Sequence, residues 1–139
     1  MMRGFVGLTL VVLLAAGCSA TVAEVMRTQA SGGGTREIYE VTPEQARSIA
    51  QTVLLREGFS DIEVHRAEGY LLATSRVTFW SGGTLAGVWF APVGTDQSAV
   101  TIVTRRRQNP ALAVWLTDDI LHRRLKEAVA ASKAGKPIP

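Results

Sequence analysis

The chain has 139 residues, 47% apolar and 19% charged, enough for one domain with its own core and too apolar for an intrinsically disordered coil. Fifteen Lys and Arg against twelve Asp and Glu leave a net charge of +3, too small an excess to argue for a nucleic-acid partner. Cys18 is the single cysteine, which excludes an intramolecular disulfide.

Met1-Met2-Arg3 is a short positive start. Residues 5–16 are apolar apart from Gly7 and Thr9, and Ala15-Ala16-Gly17-Cys18 follows. A charged start, a short apolar stretch and small residues form a secretory leader, at about half of the ~20 residues a spanning helix needs. These residues resemble the signal peptide and lipobox of bacterial lipoproteins. Ala15 departs from the commoner Leu of that motif. The resemblance implies removal of residues 1–17 and diacylglycerol on the Cys18 thiol. It also implies export and membrane anchoring. Ser19 rather than Asp follows the cysteine, which points to the outer membrane, facing the periplasm, in a two-membrane cell. The rival reading is an uncleaved anchor through the uncharged stretch at residues 4–23.

Residues 18–36 read as a lipidated, flexible tether ending in Ser31-Gly32-Gly33-Gly34-Thr35. As a coil it would span roughly 24 Å. Val22, Val25 and Met26 form a small apolar cluster within it, expected to be disordered.

Residues 37–133 read as one α+β domain. A short strand at residues 38–41 leads into a helix start: Thr42 as N-cap, Pro43 at the first helical position, and Gln45 completing a capping box. Ala46, Ile49, Ala50, Val53 and Leu54 form one helical face, and Gly58 is its stop. Ile62 and Val64 alternate with polar neighbours, and Glu68-Gly69 makes a turn. Residues 70–80 alternate between a Leu71, Ala73, Ser75 face and a Tyr70, Leu72, Thr74 face, followed by the turn Ser81-Gly82-Gly83. Residues 85–93 are apolar on both faces, the signature of a strand that is central or covered on both sides, with Pro92 at its end or on an edge. Gly94-Thr95-Asp96-Gln97 turns into a last strand at residues 99–104.

Three short turns in succession require antiparallel neighbours. A helix can start at Asn109-Pro110 or at Thr117, where Asp118 and Asp119 suit the first turn; Leu121, Leu125, Ala128 and Val129 are its stripe. Residues 134–139 are expected to fray. The predicted order is β-α-β-β-β-β-α, an antiparallel sheet of four to five strands with two helices on one face. In architecture this resembles helix-grip domains of envelope lipoproteins.

The chemistry-bearing residues are sparse. Asp118, Asp119 and His122 share a helix, and two helical ligands can begin a metal site, though helix-start acids beside a surface histidine explain them equally. His65 is the other histidine, and no Gly-x-Ser-x-Gly elbow accompanies either. Gly82-Gly83 and Gly32-Gly33-Gly34 lack the Lys-Ser/Thr of a phosphate loop, so no cofactor is expected. Arg105-Arg106-Arg107, with Arg123, Arg124 and Lys126 as a second basic group, reads either as a solvated strand end with favourable cations late in a helix or as attraction to anionic lipid, cell-wall polymer or an acidic partner. Tyr70, Leu72 and Trp80, with Phe79-Trp80 and Trp89-Phe90 on joined strands, make either an exposed aromatic strip or plain core. The candidate partner surface is therefore Arg105, Arg106, Arg107, Trp80 and Tyr70. The leading expectation is a non-enzymatic binding or assembly module of the cell envelope. Its rivals are a carrier of a small apolar ligand between sheet and helix, and a small hydrolase or metal enzyme using a histidine.

Overall fold

The computed structural model describes residues 21–76, 83–106 and 116–139. The leader with Cys18, the Phe79-Trp80 pair, Arg107 and the Asn109-Pro110 helix start lie outside the described residues. Local signals account for the surest helix, α2 (Pro43–Arg56). The Thr42 hydroxyl accepts from the Gln45 N–H at 3.2 Å and the Gln45 side chain accepts from the Thr42 N–H at 3.0 Å, so two orphan amides are satisfied reciprocally. Gly58, at φ +91°, ends it in a conformation that costs other residues energy.

The fold is α+β. Five strands, β1 (Thr35–Tyr39), β2 (Phe59–His65), β3 (Tyr70–Ser75), β4 (Thr84–Val93) and β5 (Gln97–Arg106), form one antiparallel sheet in the order β1-β5-β4-β3-β2. β2 to β5 are neighbours in chain order, with the predicted turns at Glu68-Gly69 and at residues 94–97 between them, and each neighbouring pair is antiparallel as expected; Ser81 and Gly82 of the middle turn lie outside the described residues. β1 adds beside β5, with Thr35 opposite Ile102 and Tyr39 opposite Ser98. It starts earlier and ends earlier than the sequence suggested. α2 thus leads from one edge of the sheet to the other. α3 (Asp118–Lys133) starts at the Thr117 cap, the second of the two predicted starts.

α2 and α3 share one sheet face. Their stripes pack on Leu71, Ala73, Ala86, Val88, Phe90, Val100 and Ile102, which alternate along β3, β4 and β5 toward one face. Among the described residues, the cavity between these helices and the sheet, lined by Ala50, Leu54, Val88, Ile102 and Leu125, holds about 10 Å³.

Two tail segments depart from expectation. Residues 22–30 are not coil: they form a third helix, α1 (Val22–Ala30), capped by Thr21, whose hydroxyl accepts from the Glu24 N–H at 3.3 Å. α1 lies on the sheet face opposite α2 and α3. Its fully buried Val25 packs with Leu72, Leu85 and Val103, and Met26 joins Tyr70 and Trp89 at the margin. The physical reason is the one the sequence gives for β4: a strand apolar on both faces needs cover on both. At the other end, residues 134–139 are not wholly free, because Ile138 packs against the α2–α3 core. Among the described residues no helix is long and apolar enough to cross a membrane.

Gly87 marks where α1 meets the sheet. A Cβ there would come within 2.5 Å of the Trp89 ring and 2.7 Å of Val25 Cγ1. The missing side chain lets the indole lie flat between strand and helix. Gly87→Ala should cost about 1–3 kcal/mol by overpacking. It should also speed proteolysis within α1 while α2 and α3 stay protected. Denaturant melts and limited proteolysis read both, and wild-type cleavage of α1 in the variant would show that Gly87 does not govern its docking.

Candidate functional site

Of the candidate partner surface, Tyr70 and Arg105 lie on the α1 face, while Trp80 and Arg107 lie outside the described residues. β2, β3 and β4 present His65, Tyr70 and Trp89 in register, with His65 opposite Tyr70 and Tyr70 opposite Trp89. The rings form a ladder: His65 to Tyr70 at 4.5 Å and 14°, Tyr70 to Trp89 at 5.7 Å and 25°. Such pairs contribute about 0.5–1.5 kcal/mol beyond area burial. All three remain partly exposed, with α1 covering only Leu72 and Leu85 beside them. The choice between exposed strip and core therefore resolves into a margin: Leu72 is core, Tyr70 and Trp89 are its half-open rim.

Arg105 stands beside α1 on the same face. Its guanidinium donates to the Thr104 carbonyl at 2.9 Å and to the Thr28 hydroxyl at 2.8 Å, and Thr28 passes its own proton to the Glu24 carbonyl at 2.8 Å. So Arg105 is half-buried and pins helix to strand, a role the run Arg105-Arg106-Arg107 does not announce. An open groove of about 310 Å³ lies there, lined by Glu24, Arg27, Thr28, Ser31 and Arg105. Arg106 is half-buried on the next strand position. Of the second basic group, Arg124 pairs with Glu57 at 3.1 Å and Lys126 with Glu37 at 2.9 Å, while Arg123 is exposed.

The histidine on α3 is not at the surface. His122 is 2% exposed and sits in a polar seam between α3 and β1. Asp118, His122 and Lys126 recur every four residues on the helix; Thr35, Glu37 and Tyr39 recur every two on the strand. These two periods place three side chains opposite three. Asp118 accepts from the Thr35 hydroxyl at 3.3 Å, from the Thr104 N–H at 2.9 Å and from the Thr104 hydroxyl. His122 Nε2 lies 2.7 Å from the Thr35 carbonyl, which can only accept, so Nε2 carries the proton. In the neutral ring Nδ1 then accepts from the Tyr39 hydroxyl at 2.7 Å. Both ring nitrogens are engaged, and Asp119 is exposed on another face.

Glu37 completes the seam. The Lys126 ammonium bonded to it holds its carboxyl below the usual range, against the opposing effect of burial. Burial, then the Glu37 carboxylate, pushes the Tyr39 phenol well above its ordinary value, so it stays a proton donor. Among the described residues no group of three His, Cys, Asp or Glu is placed to hold a metal ion. No family model matches the chain, and no curated protein matches it in sequence.

His122→Leu orphans the Thr35 carbonyl, at roughly 1–3 kcal/mol for a buried group, and leaves the Tyr39 hydroxyl only its longer bonds to the residue-122 carbonyl at 3.2 Å and Glu37 at 3.4 Å. With Tyr39→Phe added, the combined loss should fall short of the sum of the single losses, because the Tyr39–His122 bond is then lost only once. Strict additivity in denaturant melts would show that the pair is not coupled. Glu37 tests the same seam by pH. Its carboxyl is lowered on folding, so its contribution is complete above the unfolded value of ~4.3 and is lost as pH falls through the lower folded value. Glu37→Gln should therefore flatten the acid limb of stability below ~4.3. An unchanged acid limb in that variant would contradict the Lys126–Glu37 bond.

Proposed function

We propose that this chain is a lipid-anchored cell-envelope protein acting as a non-enzymatic binding or assembly module. The observation that carries this reading is the leader, with its positive start, short apolar run and Ala15-Ala16-Gly17-Cys18. Lipid on Cys18 holds the domain at a membrane, at the periplasmic side of the outer membrane where the cell has two. The contact surface of the module is the α1 face, with Tyr70 and Trp89 at its open margin and Arg105 beside them.

The interior supports this over the rival readings. An apolar ligand between sheet and helices would need far more than the roughly 10 Å³ present there, which is about the space of one water. A base or ligand at His122 would first have to break both of its ring bonds and leave the Thr35 carbonyl unpaired. His65 is stacked on Tyr70 and lies 3.5 Å from Glu63. That position suits a surface ring better than a catalytic group, which would need an oriented partner and a nucleophile.

Fractionation of cells tests the anchor. Wild type should sediment with membranes and Cys18→Ala should be released, with the same thermal melt for the folded domain. In-cell crosslinking from Tyr70 should yield one discrete product in the wild type. Retention of Cys18→Ala on membranes would overturn lipid anchoring in favour of a spanning leader.

A further inference from the structure

The distance from Cys18 to the fold is set by α1, not by the glycine run. Val22 is the first residue of α1, and Thr21 caps it. Four residues of chain span at most about 14 Å when fully extended. Val25, buried completely against Leu72, Leu85 and Val103, fixes the helix to the sheet one turn later. The glycines at 32–34 come after α1, between it and β1, so they add no reach between Cys18 and the sheet.

Resting on the lipid anchor proposed above, we infer that the α1 face of the sheet lies on the bilayer surface, its apolar margin at headgroup level. A chain of about 14 Å cannot carry the anchor around the sheet to the α2–α3 side. The exposed groups at α1 suit that contact. Val22, 46% exposed, sits one helical turn before Met26 on the same side of the helix. Met26 packs at the margin with Tyr70 and Trp89, rings of the amphipathic type that settle at membrane interfaces. Arg27 and Arg105 line the neighbouring groove against a single carboxylate, Glu24, and so present excess positive charge to lipid phosphates.

The test uses full-length protein made in bacteria, extracted from membranes and reconstituted in phosphatidylethanolamine–phosphatidylglycerol vesicles with a shallow brominated lipid. The mass of the Cys18 peptide is measured first. Trp80→Phe with Trp115→Phe leaves Trp89 as the only indole. A second protein replaces all three tryptophans by Phe and carries Leu55→Trp on α2, where Leu55 is 60% exposed. Both are checked against wild type by thermal melt. Trp89 emission should be lost to bromine and that of Leu55→Trp should persist. Adding Val22→Asp and Arg27→Glu, both at exposed positions, should restore much of the Trp89 emission. A lipid-bearing Cys18 with unquenched Trp89, or with equal quenching at both reporters, overturns the inference and leaves the anchor standing. A Cys18 peptide without lipid overturns the anchor, and the inference falls with it.

Discussion

The whole arrangement depends on a sheet whose central strands are apolar on both sides. β4 buries Ala86, Val88 and Phe90 toward one face and Leu85 toward the other, and β5 does the same with Val100 and Ile102 against Val103. A single layer of helices leaves one of those faces in water. At about 25 cal/mol per Å² of apolar surface, that exposure is worth more than the order gained by a nine-residue helix costs only if the helix packs well. Val25 in the notch over Gly87, with the Trp89 ring beside it, supplies that packing. α1 is short and would not persist alone in water, so the sheet makes the helix as much as the helix covers the sheet.

The second face is held differently. α2 binds through a conventional apolar stripe, but α3 meets the edge strand β1 through polar groups. A buried histidine there contributes no apolar transfer energy of its own; it satisfies the Thr35 carbonyl and orders Tyr39. Because imidazole, phenol and carboxylates have directional partners, a one-residue slip of β1 would unpair Asp118, His122 and Lys126 together. The apolar layer supplies most of the stability, and the polar seam fixes the register. Both ring nitrogens of His122 are engaged within the seam.

Much of this was legible in the residues. Period-two alternation assigned Leu71 and Ala73 to one face and Tyr70 and Leu72 to the other, and the cap at Thr42 located α2. The strand apolar on both faces even required a second covering layer. Its identity was missed although Thr21-Val22-Ala23-Glu24 carries a capping signature and Val22, Val25 and Met26 follow helical spacing. The glycine run beside them weighed more, and propensity in so short a segment says little without the surface it docks on. His122 was readable too: it falls within the α3 stripe of Leu121, Leu125, Ala128 and Val129. The ladder's third member was not, since the register that sets Tyr70 against Trp89 is a tertiary fact. Nor does the run at Arg105 reveal that its guanidinium closes on Thr28.

The placement of β1 has a further consequence for the order in which the domain can assemble. Thr35 hydrogen-bonds across to the strand that holds Ile102, and its carbonyl waits for His122. The earliest part of the chain therefore has no lasting partner until nearly the last part has emerged. Long-range pairings of this kind form late, because loop closure must come before the contacts that reward it. The meander β2 to β5, built from neighbours in sequence, can form first and display two apolar faces. α1 and β1 then close over it, so the α1 face stays bare until β5 is in place to receive them.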